Sequence, residues 1–397
     1  MNIKEFFSRD KELLKDEEFF DQLEIHKRNK RIRRIVIALI LLVVIVSTYV
    51  YEKTRVFKKI RVISTVEIQN GFGSKFTSYG DMLIKYSEDG ASYIDRKQAI
   101  WNQAFEMKTP IVDICGDYVV VAEQGGTEIY LFDEDGLVIK TESKFPIVKV
   151  EVAKQGVVAM ILEDARTNYI ELIDKEGNQL VTSKTDLASN GYPLEFSLSD
   201  DGTKLAVSYL YVSGGVMQSK VLFYNFSDVG QNEVDRMVGG FNQYSSTVVP
   251  TVEFLDNDEC VCIGDNIITL YSMKQKPSIA FEEEITEEIE KVCYSSSYVG
   301  LVLKNTDTQH SEKNKVVVYN KKGKEVMSEY IDDLYDEVKI VDDCIFTYNK
   351  NDFKVLTFKG KERFKHSFNE DVVDIIPISL RTYYVITNDK VKCVKLK

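Results

Sequence analysis

One phrase restricts the fold more than any other feature. It is an alternating apolar strand, a polar turn ending in Gly, and a second strand, and it recurs along the chain. It reads EIYLFDEDGLVI from Glu128, YIELIDKEGNQL from Tyr169, KVVVYNKKGKEV from Lys315 and FKVLTFKGKERF from Phe353. In each, Gly136, Gly177, Gly323 or Gly360 supplies the positive φ of a tight hairpin, and residues such as Asp174 hold the turn's amides. Gly136 and Gly177 are 41 residues apart, Gly323 and Gly360 37. A period near 40 with several strands per repeat describes a β-propeller, in which each hairpin joins the two outer strands of a blade.

Eight units of up to four strands can be written between residues 76 and 397. The first (FTSYG, DMLIKYS, ASYIDRK, AIWNQAFEM) is the weakest. The last (VVDIIPI, RTYYVIT, KVKCVKL) lacks its fourth strand. The unassigned strand Arg61–Ile68, RVISTVEI, can fill that place and close the ring, which removes two open edges. The expected fold is all-β: an eight-bladed, alternatively seven-bladed, propeller of four-stranded blades over 61–397. The one segment with a helical look is Glu282–Glu290, expected to form a turn or two.

Two stretches carry a family likeness. FSLSDDGTKLAVSY, Phe196–Tyr209, resembles the phrase of WD40-like and TolB-like propellers. YIDRKQAIWNQAFEM, Tyr93–Met107, is similar to the quinoprotein-type repeat, with Trp101 in its Trp position. The whole arrangement resembles the DUF5711-like family of single-pass, membrane-anchored bacterial β-propellers. That resemblance implies a fold and not a chemistry. Quinoprotein dehydrogenases surround their cofactor with Trp and stack an adjacent Cys pair on it. This chain has one Trp and no adjacent Cys pair, so no cofactor is expected.

Before the repeats, Ile35–Tyr51 (IVIALILLVVIVSTYVY) is free of charge. It is expected to be a transmembrane signal anchor, since 34 residues precede it and no small-residue cleavage site follows. His26–Arg34 holds six Lys/Arg and Glu52–Arg61 five, which favours an N-terminus inside and a propeller outside the cytoplasm. Residues 1–34 are expected to be a cytoplasmic tail, amphipathic over 1–25 and then basic, with a cytoplasmic partner or the membrane surface as its contact. Residues 52–60 are expected to be a tether.

Charge divides at the same place. Residues 1–61 hold 15 Lys/Arg against 9 Asp/Glu, a net of +6, and the rest 36 against 54, a net of −18. So acidic a domain repels phosphate backbones, and nucleic acid is not an expected partner. The three His have no Ser or Cys arranged as a nucleophile pair, and G-x-S-x-G is absent. Asp133–Gly136 and Asp200–Gly202 read as turns rather than calcium loops. Cys260 and Cys262 share a strand face, but without His partners no metal is expected. The six Cys are expected to be free buried thiols.

Loop length points to a binding face. The longest loops are Tyr211–Ser219, Gly239–Val249 and Asn305–Asn314, all placed by blade order on one face, with the acidic crossings Glu282–Glu290 and Asp332–Glu337. The candidate binding residues are Tyr211, Gln218, Phe241, Asn242, Gln243 and Tyr244, with Tyr211, Phe241 and Tyr244 expected to be exposed. The expected function is a membrane-anchored, extracytoplasmic propeller that binds an envelope protein or glycan without catalysis. The alternatives are a lyase, glycosidase or dehydrogenase with its site in the central channel, and a cytoplasm-facing scaffold of reversed topology.

Overall fold

The computed structural model describes residues 26, 28–48, 50–51, 54–68, 73–331 and 335–397. The expected amphipathic tail, 1–25, lies outside them, as does part of Asp332–Glu337. The chain divides into two units, residues 1–56 and 57–397.

In the first unit, helix α1 covers residues 28–48. Arg28, Lys30, Arg31, Arg33 and Arg34 occupy its first two turns. Its unbroken apolar part, Ile35–Val46, is about 18 Å long at 1.5 Å per residue. Among the described residues, no helix is long and apolar enough to cross a membrane. The anchor expected over 35–51 runs through Tyr49, which is outside the described residues. The side chains of Ile35–Val46 are exposed all round the helix.

The second unit is an eight-bladed propeller. Its first strand is β1 (Ile60–Glu67). Blade 1 is β2 (Lys75–Tyr79), β3 (Met82–Ser87), β4 (Gly90–Ile94) and β5 (Ala99–Ala104). Blade 2 is β6 (Pro110–Cys115), β7 (Tyr118–Glu123), β8 (Glu128–Asp133) and β9 (Gly136–Glu142). Blade 3 is β10 (Ile147–Val152), β11 (Val158–Asp164), β12 (Thr167–Ile173) and β13 (Gln179–Asp186). Blade 4 is β14 (Tyr192–Leu198), β15 (Lys204–Ser213), β16 (Val216–Asn225) and β17 (Met237–Phe241). Blade 5 is β18 (Thr251–Phe254), β19 (Glu259–Ile263), β20 (Ile267–Ser272) and β21 (Ser278–Glu284). Blade 6 is β22 (Ile289–Ser295), β23 (Tyr298–Lys304), β24 (Asn314–Asn320) and β25 (Glu325–Ile331). Blade 7 is β26 (Glu337–Val341), β27 (Cys344–Tyr348), β28 (Asp352–Thr357) and β29 (Glu362–Ser367). Blade 8 is β30 (Val372–Ser379), β31 (Thr382–Thr387) and β32 (Lys390–Leu396), with β1 as its outer strand.

Every blade is an antiparallel meander, and eight apolar clusters each join one blade to the next around the ring. The blade-1 to blade-8 interface has a core like the other seven, with Leu83, Ile94, Tyr384 and Cys393 buried there. That continuity settles the number of blades at eight.

Packing explains the strand patterns. The two middle strands of a blade are covered on both faces by neighbouring blades. They therefore read as continuous apolar runs, as in Val119–Ala122 and Val158–Leu162, all buried. Outer strands keep one face in water and alternate or are mostly exposed, as in β21, where only Phe281 is half-buried. Glu282–Glu290 is not helical: its residues end β21, cross between blades and begin β22. Isoleucines 285 and 289 fold toward the blade-5 to blade-6 core, and that burial outweighs the helical preference of the Glu run.

The repeated Gly turn can be followed atom by atom in YIELIDKEGNQL. Asp174 Oδ1 accepts from the Glu176 and Asn178 amides at 3.0 and 2.7 Å, and Gly177 N–H donates to the Asp174 carbonyl at 2.9 Å. Gly177 has φ +84°, and a Cβ there would lie 2.7 Å from the Ile139 side chain of the preceding blade. The Gly serves both the turn and the fit between blades. Trp101 works similarly: it lies in β5 and stacks on Phe132 of blade 2 at 4.8 Å.

The ring closes at its outer strand and again just before it. β1 pairs antiparallel with β32 from Ile60–Leu396 to Glu67–Lys390. Phe57 is buried in the blade-7 to blade-8 core, and its N–H donates to the Arg363 carbonyl at 2.8 Å. The guanidinium groups of Arg363 and Arg381 lie over its ring at 5.5 and 5.3 Å.

Candidate binding face and the acidic channel

The innermost strands line a central channel with two chambers of about 810 and 580 Å³, which share Lys75 and Tyr86 in their walls. In the smaller chamber the inward side chains form a belt from blade to blade. Asp113 Oδ2 of β6 accepts from the Val152 amide of β10 at 2.7 Å. Glu151 Oε2 of β10 accepts from the Leu198 amide of β14 at 2.6 Å. Ser197 Oγ of β14 accepts from the Phe254 amide of β18 at 3.0 Å. In blades 3 and 4 the acceptor, Glu151 or Ser197, is the residue just before that blade's own donor, Val152 or Leu198, so one register is repeated from blade 2 to blade 5.

The belt concentrates charge. Burial pushes the Asp113 and Glu151 carboxyls up, and their mutual repulsion with Glu253 adds to it for Glu151. Glu253 is pushed up to about 7, by burial first and then by Asp113. Lys149 pairs with Glu195, and burial lowers its ammonium. In the larger chamber Tyr348 Oη donates to Asp374, and Lys339 lies 5.3 Å from the Tyr348 ring. Among the described residues, no group of His, Cys, Asp and Glu is placed to hold a metal ion. The six Cys are free, and all but Cys115 are buried.

The sequence-derived candidates divide between surface and core. Tyr211 and Gln218 come together, with Tyr211 Oη donating to Gln218 Oε1 at 3.1 Å and Lys220 over the Tyr211 ring. Asn242 and Gln243 are exposed. Gln243 Nε2 donates to Tyr271 Oη at 2.9 Å and to Glu282 Oε2 at 3.0 Å. Tyr244 is not exposed as expected but 1% accessible, its Oη 2.6 Å from Tyr271 Oη. Phe241 is half-buried, with its ring 4.7 Å from Tyr271 and 5.8 Å from Phe223. The reason is local. Phe241 ends β17 and packs on the blade-4 to blade-5 core, and the crossing after it turns Tyr244 inward beneath the same core.

The stretch Tyr211–Ser219, expected as a loop, is instead a hairpin. β15 and β16 are ten residues each and pair without interruption from Lys204–Asn225 to Ser213–Val216. The turn is Gly214-Gly215, at φ +59° and +82°, both left-handed as a two-residue hairpin turn requires. β14 pairs with β15 only as far as Leu210, and β17 with β16 only as far as Val221. The tip therefore extends past the sheet that holds it. Val212, Val216 and Met217 are 67%, 48% and 58% exposed there. Sequence reasoning missed these three, although Gly-Gly between alternating apolar residues was the available signal.

The family described as "Family of unknown function (DUF5711)" matches residues 53–396. No curated protein matches the sequence. Among solved structures, the propeller is similar to Saccharomyces cerevisiae Sqt1 at 11% identity and TM-score 0.55, over 86% of this chain and 99% of that one. Chaetomium thermophilum Sqt1 bound to the N-terminus of the ribosomal protein L10 is similar at 10% identity and TM-score 0.56, over 84% and 99%. At these identities the likeness is one of fold.

Proposed function

The chain belongs to the DUF5711 family, and we propose that it is a non-catalytic scaffold that holds a protein partner on the face of the ring carrying the β15–β16 hairpin. The observation that carries this is the hairpin tip, where three exposed apolar side chains stand beyond the body of blade 4. A protein of similar fold is described bound to a protein N-terminus. Asp113 and Glu151, the channel acids that a catalytic role would need free, each accept a backbone amide of the next blade. That use fits a structural belt.

In this proposal α1 tethers the ring to a membrane, with the ring outside the cytoplasm and an envelope protein, rather than a glycan, as partner. The support is the apolar surface of Ile35–Val46, exposed all round the helix and needing cover. Photo-crosslinkers placed in the full chain at Tyr211, at Asn242 and, as a control, at Glu176 on the opposite face test the scaffold role in membranes. Protein adducts are expected from the first two positions. Adducts only from Glu176, or glycan adducts alone, would sink the proposal. Protease added to intact cells should digest the ring, and a protected ring would reverse the topology.

A channel enzyme is the second reading, and Glu253 is its one specific support, because a carboxyl held near 7 suits proton transfer. Partner capture that survives Glu253→Gln favours the scaffold.

A further inference from the structure

We propose that the blade-5 side of the hairpin tip and the acidic edge of blade 5 form one docking surface for an extended basic segment of the partner protein, in which apolar residues alternate with Lys or Arg. The proposal rests on the scaffold role above and names the chemistry of what is held.

Strand alternation fixes which way the tip faces. Ala206 of β15 packs in the core shared with blade 5, and Ser208 Oγ donates to the Val249 carbonyl in the crossing to blade 5 at 2.8 Å. Val212 lies on that same side, because side chains alternate along a strand. Met217 is paired opposite Val212 and shares its side with Ser219, whose Oγ accepts from the Val249 amide at 2.9 Å. Val212 and Met217 thus form an exposed apolar pair turned toward blade 5.

The edge of the hairpin on that flank is open. Ser219 N–H donates to the Thr247 carbonyl at 2.9 Å, which is the last cover along the outer edge of β16. The Met217 N–H and carbonyl belong to the same edge one step further out, beyond the reach of β17. An extended segment can add there and set alternate side chains against the apolar pair.

Charge selects the segment. Glu282 Oε2, held by Gln243 and by Thr269 Oγ1 at 3.2 Å, marks the side of β21 that faces blade 4. Glu284 follows it on that side and is exposed, and Asp265 is exposed in the turn between β19 and β20 at the same end. Among the described residues neither Glu284 nor Asp265 has a Lys or Arg partner. Residues 62–397, nearly all of the ring, carry a net −18, which steers a basic segment toward it. An acidic segment would meet like charge at this edge.

The test uses the full chain in an uncharged detergent and two short labelled peptides, one alternating Lys and Val and the other alternating Glu and Val, with binding read by fluorescence anisotropy. The Lys–Val peptide is expected to bind saturably and to weaken as salt rises, and the Glu–Val peptide not to bind. Val212→Ser with Met217→Ser, and separately Asp265→Asn with Glu284→Gln, should each weaken it by about tenfold, with the melting temperature unchanged. Equal binding of both peptides, or no loss in either double variant, overturns the proposal. So does a dimer of the full chain that Met217→Ser converts to monomer, because a second copy would then occupy the surface. Partner crosslinks that persist in the hairpin double variant would remove this docking surface and leave the scaffold role standing.

Discussion

At the scale of single residues, identity matters most where two blades meet. Gly323 has φ +76°, and a Cβ there would fall 2.1 Å from the Phe281 ring of blade 5. Gly125 has nearly the same φ, +78°, with nothing within 4 Å of its Cβ. Gly125→Ala should cost about 1 kcal/mol, and Gly323→Ala at least about 2 kcal/mol, because the second adds a clash to the same backbone strain. Thermal melts of the two variants check the difference. Glu253 sets a pH dependence. Its folded value, about 7, lies above the usual 4.5, so the folded ring holds a proton that the unfolded chain releases. The stability tied to this group is full below pH 4.5 and is lost as pH rises through 7. Glu253→Gln should therefore stabilise the ring at pH 8 by about 1–3 kcal/mol and have little effect at pH 4, as denaturant titrations at the two pH values will show.

At the scale of elements, the closing strand and the segment before it carry a stability out of proportion to their length. β1 covers the outer edge of β32, and Phe57 fills the blade-7 to blade-8 core under two Arg side chains. Phe57→Ala should destabilise the ring by about 3–4 kcal/mol. Removing residues 1–68 should also leave β32 as an open edge, giving concentration-dependent aggregation by light scattering that Phe57→Ala alone does not show. The strand's place in blade 8 was legible in the sequence, since a unit lacking one strand at one end matched a spare strand at the other. The hairpin of blade 4 was legible only in part. Gly214-Gly215 between alternating apolar residues signals a tight turn but also fits a slack loop, and the unbroken ladder from Lys204–Asn225 to Ser213–Val216 decides between them.

At the scale of the whole molecule, the blade-8 to blade-1 interface has the same kind of core as the rest, so the ring should unfold as one unit. Calorimetry of the ring should show a single transition, and Phe57→Ala should move it without splitting it. Local sequence was enough for a closed propeller of eight or seven blades, because turn chemistry and strand periodicity are written in neighbouring residues, and the core between the first and last blades decided for eight. Tyr244 shows where that information ends: an aromatic in a polar crossing has the composition of a surface loop, yet its ring lies in the blade-4 to blade-5 core. The channel acids show it too. Asp113, Glu151 and Glu253 come from strands far apart in the chain, and nothing near each of them says that it points inward. Their meeting depends on the common register of the inner strands around the ring. Short-range chemistry thus specified the repeat, while closure of the ring chose which side chains share the channel, and the unequal lengths of the blade-4 strands chose which stand at the hairpin tip.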